Sequence, residues 1–144
     1  MMILVDAHVH IYNCFELKKF FNSAYANFKS TAHDLGGGPN FTGILLLTET
    51  TKERWFQNLC YCADGKLLPS EIGIDDWMFY YTDEKWSLCA KSADSKKKLY
   101  IIAGKQIVSS EGLEVLAVGT QKKSEKANQY WNPLQVYTKT VVCL

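Results

Sequence analysis

Two histidines lie close together near the start of the chain, in the stretch VDAHVHIY (residues 5–12). In an extended segment alternate side chains share one face, so Asp6, His8 and His10 are predicted to point to the same side. Imidazoles and carboxylates are the side chains that most often hold catalytic metal ions in an open site. The spacing therefore predicts the beginning of a metal site.

The same H-x-H pattern has a second interpretation, because histidines near the end of a strand are often satisfied by hydrogen bonds alone. The surrounding sequence favours a metal site over a pair of histidines that only form hydrogen bonds. The two histidines end an apolar first strand, and this strand opens a βαβ pattern, in which ligand sites lie at the carboxyl ends of the strands.

The βαβ pattern extends over roughly the first fifty residues. An amphipathic helix is predicted after the first strand, with Asn13 and Glu16 as a capping pair and a stop at GGGP (residues 36–39). Its apolar residues recur at steps of three and four and are Leu17, Phe20, Phe21, Ala24, Phe28, Ala32 and Leu35. The continuous apolar run that follows, FTGILLL (residues 41–47), is typical of a buried parallel strand.

A second helix is predicted next, with Thr50 and Glu53 as its cap, and beyond residue 72 the sequence changes to short β-rich segments. We predict a β-hairpin from Trp77 to Lys91 that lies outside the main sheet with its alternate residues half exposed. Further strands are predicted over 99–110 and 113–120. Residues 121–144 carry the weakest secondary-structure signals of the chain. Alternation from Leu134 to Val142 is nevertheless compatible with a final strand.

Composition sets limits on function. The chain has 144 residues, 47% hydrophobic and 22% charged, which indicates one soluble globular domain over residues 1–144. Its 16 basic and 15 acidic residues give a net charge of +1, so neither nucleic acid nor a membrane is an expected partner. The apolar start is too short for a signal peptide. Five scattered cysteines are typical of free thiols, so a cytoplasmic location is expected.

Three stretches in order resemble successive motifs of the PHP domain, the polymerase and histidinol phosphatase family of metal-dependent hydrolases. They are DAHVHIY (residues 6–12), GILLLTET (43–50) and IIAGKQIVSSEGLEVLAVG (101–119). This family builds a distorted parallel α/β barrel and binds two or three metal ions at the carboxyl ends of its strands, where they activate water to attack a phosphoester. The resemblance implies a related fold and chemistry here.

By this resemblance, His8 and His10 match the first metal pair of the family, and Asp6 stands at a position that is commonly acidic. The second motif departs from the family, since Thr48-Glu49-Thr50 replaces a Thr-Asp-His triplet. In the third motif Gln106 stands where the family has a metal-bridging glutamate, and Glu114 stands where it has a histidine. A neutral amide cannot offset the repulsion between two cations.

The resemblance thus implies one divalent ion, zinc, manganese or iron, held by His8, His10 and a carboxylate from Glu49 or Glu114. Such a site leaves a fourth position for water, the usual form of a catalytic zinc site. Other interpretations stay open for both glutamates. Glu49 could instead be a carboxylate at a helix N-terminus, and Glu114 an exposed strand residue.

The predicted fold is α/β, with a mostly parallel sheet that resembles the first half of a PHP-type barrel and a β-hairpin insertion. A full barrel needs about 200 residues or more. The predicted function is metal-dependent hydrolysis of a small phosphorylated substrate, weak or incomplete in this chain. The alternative is a non-catalytic scaffold for interaction or assembly, with a homo-oligomer covering exposed sheet edges.

Overall fold

The strands and helices are defined by a computed structural model, which describes residues 1–108 and 113–121. Its strands are β1 (Met2–Val9), β2 (Phe41–Leu47), β3 (Trp77–Tyr81), β4 (Ser87–Ser92), β5 (Lys98–Ile102), β6 (Gly104–Val108) and β7 (Glu114–Val118). Its helices are α1 (Leu17–Asp34), α2 (Trp55–Ala63) and a short 3-10 helix, Pro69–Ile72. The final strand predicted from Leu134 to Val142 lies outside the described residues.

Over residues 1–108 and 113–121, the main sheet has five strands in the order β1-β2-β5-β4-β3. Strands β1, β2 and β5 are parallel, whereas β4 and β3 are antiparallel to their neighbours. The predicted βαβ unit is therefore present as β1-α1-β2, and the α/β class is confirmed. Within the part of the chain that the structure describes, the sheet is mixed and open, with β1 and β3 at its edges, and it does not close into a barrel.

The predicted hairpin exists as β3 and β4, but its predicted position outside the main sheet is wrong. Strand β4 pairs with β3 on one side and with β5 on the other, so the hairpin continues the main sheet. The predicted half exposure also fails for β4, where Ser87, Leu88, Cys89 and Ala90 are all buried. The physical reason is that polar turns on both sides of β4 close two successive hairpins. The interior strand is then hydrogen-bonded along both of its edges.

A second, two-stranded sheet is formed by β6 and β7. The long segment predicted as one strand over 99–110 is interrupted at Ala103, where the chain leaves the main sheet. The two sheets are joined by backbone hydrogen bonds: the N–H of Glu49 donates to the carbonyl of Gly104 at 3.2 Å, and the N–H of Gly119 donates to that of Ala103 at 2.7 Å. These bonds place β6 directly beyond the end of β2.

The hydrophobic core lies between the helices and one face of the main sheet. Helix α1 packs on β1 and β2, and α2 packs on β3. The apolar positions predicted on α1 are largely confirmed, because Leu17, Phe21, Phe28 and Ala32 are buried. The helix begins after Glu16, and no side chain caps it, so the predicted capping pair of Asn13 and Glu16 is not formed. Among the described residues, no helix combines the length and the apolar content needed to cross a bilayer.

Candidate metal centre

The candidate site lies at the carboxyl ends of β1 and β2. His8 and His10 are at the end of β1, while Thr48 and Glu49 follow β2 directly. The backbone N–H of Thr48 donates to the carbonyl of Val9 at 2.8 Å, which holds the two strand ends together. The parallel pairing thus brings residues about forty positions apart in sequence to one edge of the sheet.

The structure brings His8 and His10 together. Their Nε2 atoms are 3.1 Å apart, and the ring centroids are separated by 5.0 Å with an angle of 52° between the ring planes. Two nitrogen ligands at about 2.0–2.1 Å from a zinc ion, at a tetrahedral angle, lie about 3.3 Å apart. The two imidazoles therefore face one another at nearly the separation that a shared metal ion requires. The same distance also fits a hydrogen bond from one imidazole to the other.

His10 contacts Thr48 and Tyr12 in addition to His8. Its Nε2 lies 3.3 Å from the hydroxyl oxygen of Thr48, and its ring stacks on that of Tyr12, with centroids 5.7 Å apart. Its other nitrogen, Nδ1, is buried and has no hydrogen-bond partner among the described residues. A histidine that binds metal usually donates its second ring N–H to a carboxylate or carbonyl group. This support is missing at His10.

The structure does not add Asp6 to the histidine pair. Asp6 pairs with Leu45 and Val9 pairs with Leu47, so β1 has one residue more than β2 between these two positions. This bulge interrupts the alternation from which a shared face was predicted. The carboxylate of Asp6 instead accepts a long hydrogen bond, 3.4 Å, from the backbone N–H of His8.

Glu49 is a buried polar side chain of the site, and both of its oxygens already accept hydrogen bonds. Its side chain is 2% exposed. Atom Oε1 accepts the backbone N–H of Phe56, in the first turn of α2, at 2.6 Å. Atom Oε2 accepts from the ammonium group of Lys105 at 3.1 Å and from the amide of Gln121 at 3.5 Å. The structure thus places Glu49 as the carboxylate at the N-terminus of α2, the second of the two interpretations of this residue.

Glu114 and Gln106 lie on the small second sheet. Glu114 begins β7, where it is exposed and pairs with Val108. The backbone N–H of Gln106 donates to the carbonyl of Glu49 at 3.0 Å, so this residue contributes to the junction of the two sheets through its main chain. Among residues 1–108 and 113–121, no three histidine, cysteine, aspartate or glutamate side chains are grouped so that they could hold a metal ion.

Two residues of the site were missed by the sequence analysis. Lys105 was considered only as part of the third motif, because nothing local shows that its partner lies 56 positions earlier. Glu53 was considered only as a cap of the second helix, but its carboxylate also interacts electrostatically with the side chain of His10. Burial raises the pKa of Glu53, but hydrogen bonds from the hydroxyl and backbone N–H of Thr50 outweigh this effect and hold the pKa below its ordinary value.

This lowered pKa predicts a pH-dependent contribution to stability. A carboxyl group with a lowered pKa in the folded state stabilises it above the ordinary pKa, about 4.3 for glutamate, and loses this effect as the pH falls through the folded value. We expect Glu53→Gln to reduce the free energy of unfolding by about 1 kcal/mol at pH 7 and by less at pH 3.5. Urea unfolding of both proteins at the two pH values measures this. An equal difference at both would contradict it.

Comparisons with known proteins give no independent assignment. No protein-family model, no curated protein and no solved structure matches the chain. Function is therefore inferred from the geometry of the site together with the sequence motifs.

Proposed function

We propose that this protein is a PHP-like metal-dependent hydrolase that binds one divalent ion through His8 and His10 and acts weakly on a small phosphorylated substrate. The observation that carries the proposal is the 3.1 Å separation of the two Nε2 atoms at the carboxyl end of β1. Strand ends of this kind are where α/β proteins place their ligands. The ordered resemblance of three sequence stretches to the PHP family, and to the first half of its barrel, also supports it.

The residues present fit one ion. Of the three ions, two neutral imidazoles suit zinc and iron better than manganese, and an ion bound there would supply Lewis acidity toward a phosphoryl oxygen and activation of water. A second ion has no comparable place among the described residues. The carboxylate of Glu49, which could have held it, is neutralised by the ammonium group of Lys105. The ion pair of Glu49 and Lys105 therefore supports a stoichiometry of one metal ion per chain.

Two features make binding and catalysis weak. When the Nε2 of His10 binds metal, the proton of the neutral imidazole is on Nδ1, which is buried and has no partner in the described part of the chain. An unsatisfied buried donor costs about 1–3 kcal/mol, which corresponds to roughly a 5- to 150-fold loss of affinity. In addition, a single ion cannot clamp both the attacking and the leaving oxygen of a phosphoester.

Metal content tests this proposal. After incubation with zinc, manganese or iron and mild dialysis, mass spectrometry is expected to find one ion per chain. The double variant His8→Ala/His10→Ala should hold none. His33→Ala is the matched control, since His33 is an exposed histidine on α1, away from the site, and this variant should keep the ion. Unchanged metal content in the double variant would contradict the site, and two or more ions per chain would contradict the stoichiometry.

Turnover is measured on the same proteins with a panel of phosphomonoesters and phosphodiesters. We expect hydrolysis well below the ordinary enzyme value of about 10 per second, and we expect it to disappear in the double variant. Fast turnover that depends on both histidines would show a more complete active site than the one proposed here.

A second candidate function is a non-catalytic scaffold for assembly. It is favoured by edge strand β1, on which Ile3 and Val5 are 58% and 51% exposed. An edge strand with exposed apolar residues offers unpaired backbone groups to a second chain, including another copy of this one. Absence of metal and of hydrolysis in the experiments above would favour this function.

A further inference from the structure

We propose that the hydroxyl oxygen of Thr48 is the third protein ligand of the ion, completing the site that His8 and His10 begin. This inference rests on the proposed function. The observation behind it is that Oγ1 of Thr48 lies 3.3 Å from Nε2 of His10. The same nitrogen atom of His10 also faces Nε2 of His8. No acidic side chain of the described residues joins the two histidines in a three-membered group.

The position of Thr48 is fixed by the fold. It is the first residue after β2, and its side chain is fully buried. Both its backbone N–H, at 2.8 Å, and its hydroxyl, at 3.3 Å, donate to the carbonyl of Val9. Val9 lies between His8 and His10 in sequence. The threonine side chain is therefore tied to the same short segment that carries the two histidines.

The direction of the hydroxyl group follows from this bonding. A hydroxyl has one proton and two lone pairs, and the proton of Thr48 is used by the carbonyl of Val9. When this proton is on the Val9 carbonyl, a lone pair of Oγ1 is available to His10, whose Nε2 lies 3.3 Å away. A lone pair at this place can accept a hydrogen bond from the imidazole, or it can bind a cation that the imidazole also binds.

The two observed separations agree with a shared ion. The distances from Nε2 of His10 to Nε2 of His8 and to Oγ1 of Thr48 are 3.1 and 3.3 Å. Ligand atoms at about 2.0–2.2 Å from one metal ion are separated by distances of this order. All three ligands are neutral, so the ion keeps its full positive charge. A phosphate group, which is an anion, is the chemical class of ligand that such an ion attracts most strongly.

Cobalt(II) provides the test, because its visible absorption reports the number and type of its ligands. The full-length chain is titrated with cobalt(II) as wild type, Thr48→Val and Thr48→Ser. Valine keeps the shape of threonine without the oxygen, whereas serine keeps the oxygen. Thr42→Val, on β2 but outside the site, is the matched control. Circular dichroism and thermal unfolding show whether each variant is folded.

We expect Thr48→Val to bind cobalt at least about 10-fold more weakly, since even groups that only orient a metal ligand are worth about 10- to 100-fold, and to show an altered absorption spectrum, which an orienting group alone would not cause. Thr48→Ser and Thr42→Val should resemble the wild type. Wild-type spectrum and affinity in Thr48→Val would overturn the inference while leaving the histidine site intact. Weaker binding with an unchanged spectrum would also overturn it, since Thr48 would then only orient His10. If the wild type binds no cobalt, or if removing both histidines has no effect, the proposed function fails and the inference fails with it.

Discussion

Replacing Glu49 with alanine is expected to lower the free energy of unfolding by about 3–5 kcal/mol, which is the usual cost of breaking a buried ion pair by removing one partner. Glu49 is 2% exposed and Lys105 is 16% exposed, and their charged atoms are 3.1 Å apart. Without the carboxylate, the ammonium group of Lys105 stays largely shielded from water and loses its counter-charge. The N–H of Phe56 at the start of α2 also loses its acceptor.

A double-mutant cycle measures this effect by urea unfolding. The variants are Glu49→Ala, Lys105→Met and the combination of both, and we expect the combination to cost less than the sum of the two single changes. The control is Lys96→Ala, which removes an exposed pair with Asp94 at 3.9 Å and should change stability by less than about 1 kcal/mol. A loss below about 1 kcal/mol for Glu49→Ala would contradict the view that this pair holds the two sheets and α2 together.

Replacing Gly104 with alanine is expected to lower the free energy of unfolding by about 3 kcal/mol, at the upper end of the range for an overpacked site. A Cβ atom on Gly104 would lie 2.3 Å from the carbonyl oxygen of Leu47 and 2.8 Å from that of Ala117. Both neighbours are main-chain atoms of paired strands, so neither can move without disturbing the junction between the sheets.

Gly37→Ala is the matched control for this change. A Cβ atom on Gly37 would come within 2.5 Å of the end of the Met2 side chain, a flexible group that can move aside, whereas the nearest main-chain atom, the carbonyl oxygen of Ala32, would be 3.3 Å away. We expect it to cost less than about 1 kcal/mol. Thermal or urea unfolding of the two variants measures the contrast. Equal stability of the two would show that β6 does not need to approach the end of β2 so closely.

The local elements of this fold could be predicted from the sequence because their signals are local. The three- and four-residue spacing of apolar residues predicts α1, and the run GGGP marks its end. The long apolar run after it predicts the parallel strand β2. Burial of Leu17, Phe21 and Phe28 confirms the predicted face of the helix. The positions of the two histidines at the end of β1 follow from the same patterns.

The partners of these elements depend on the tertiary structure. Alternation along β3 and β4 predicts a hairpin, but it does not say which strand pairs with β4. Only the fold shows that β5 does and that β4 is interior. Likewise, alternation predicts that Asp6 shares a face with the histidines, whereas one extra residue in β1 interrupts that alternation. A single inserted residue has no signature in the sequence.

The features of the candidate site are also of two kinds, those that the sequence predicts and those that depend on the tertiary structure. Sequence by itself determined that His8 and His10 are close neighbours on one strand end, since a spacing of two residues in an extended chain leaves little choice. Tertiary structure decided the role of Glu49, because a buried carboxylate takes whichever donors the fold brings to it. Those donors are the N–H of Phe56 and the ammonium group of Lys105, and Lys105 is 56 positions away in sequence. The tertiary structure also decided that Thr48, an uncharged residue, faces His10, because the pairing of β1 with β2 places the two residues side by side.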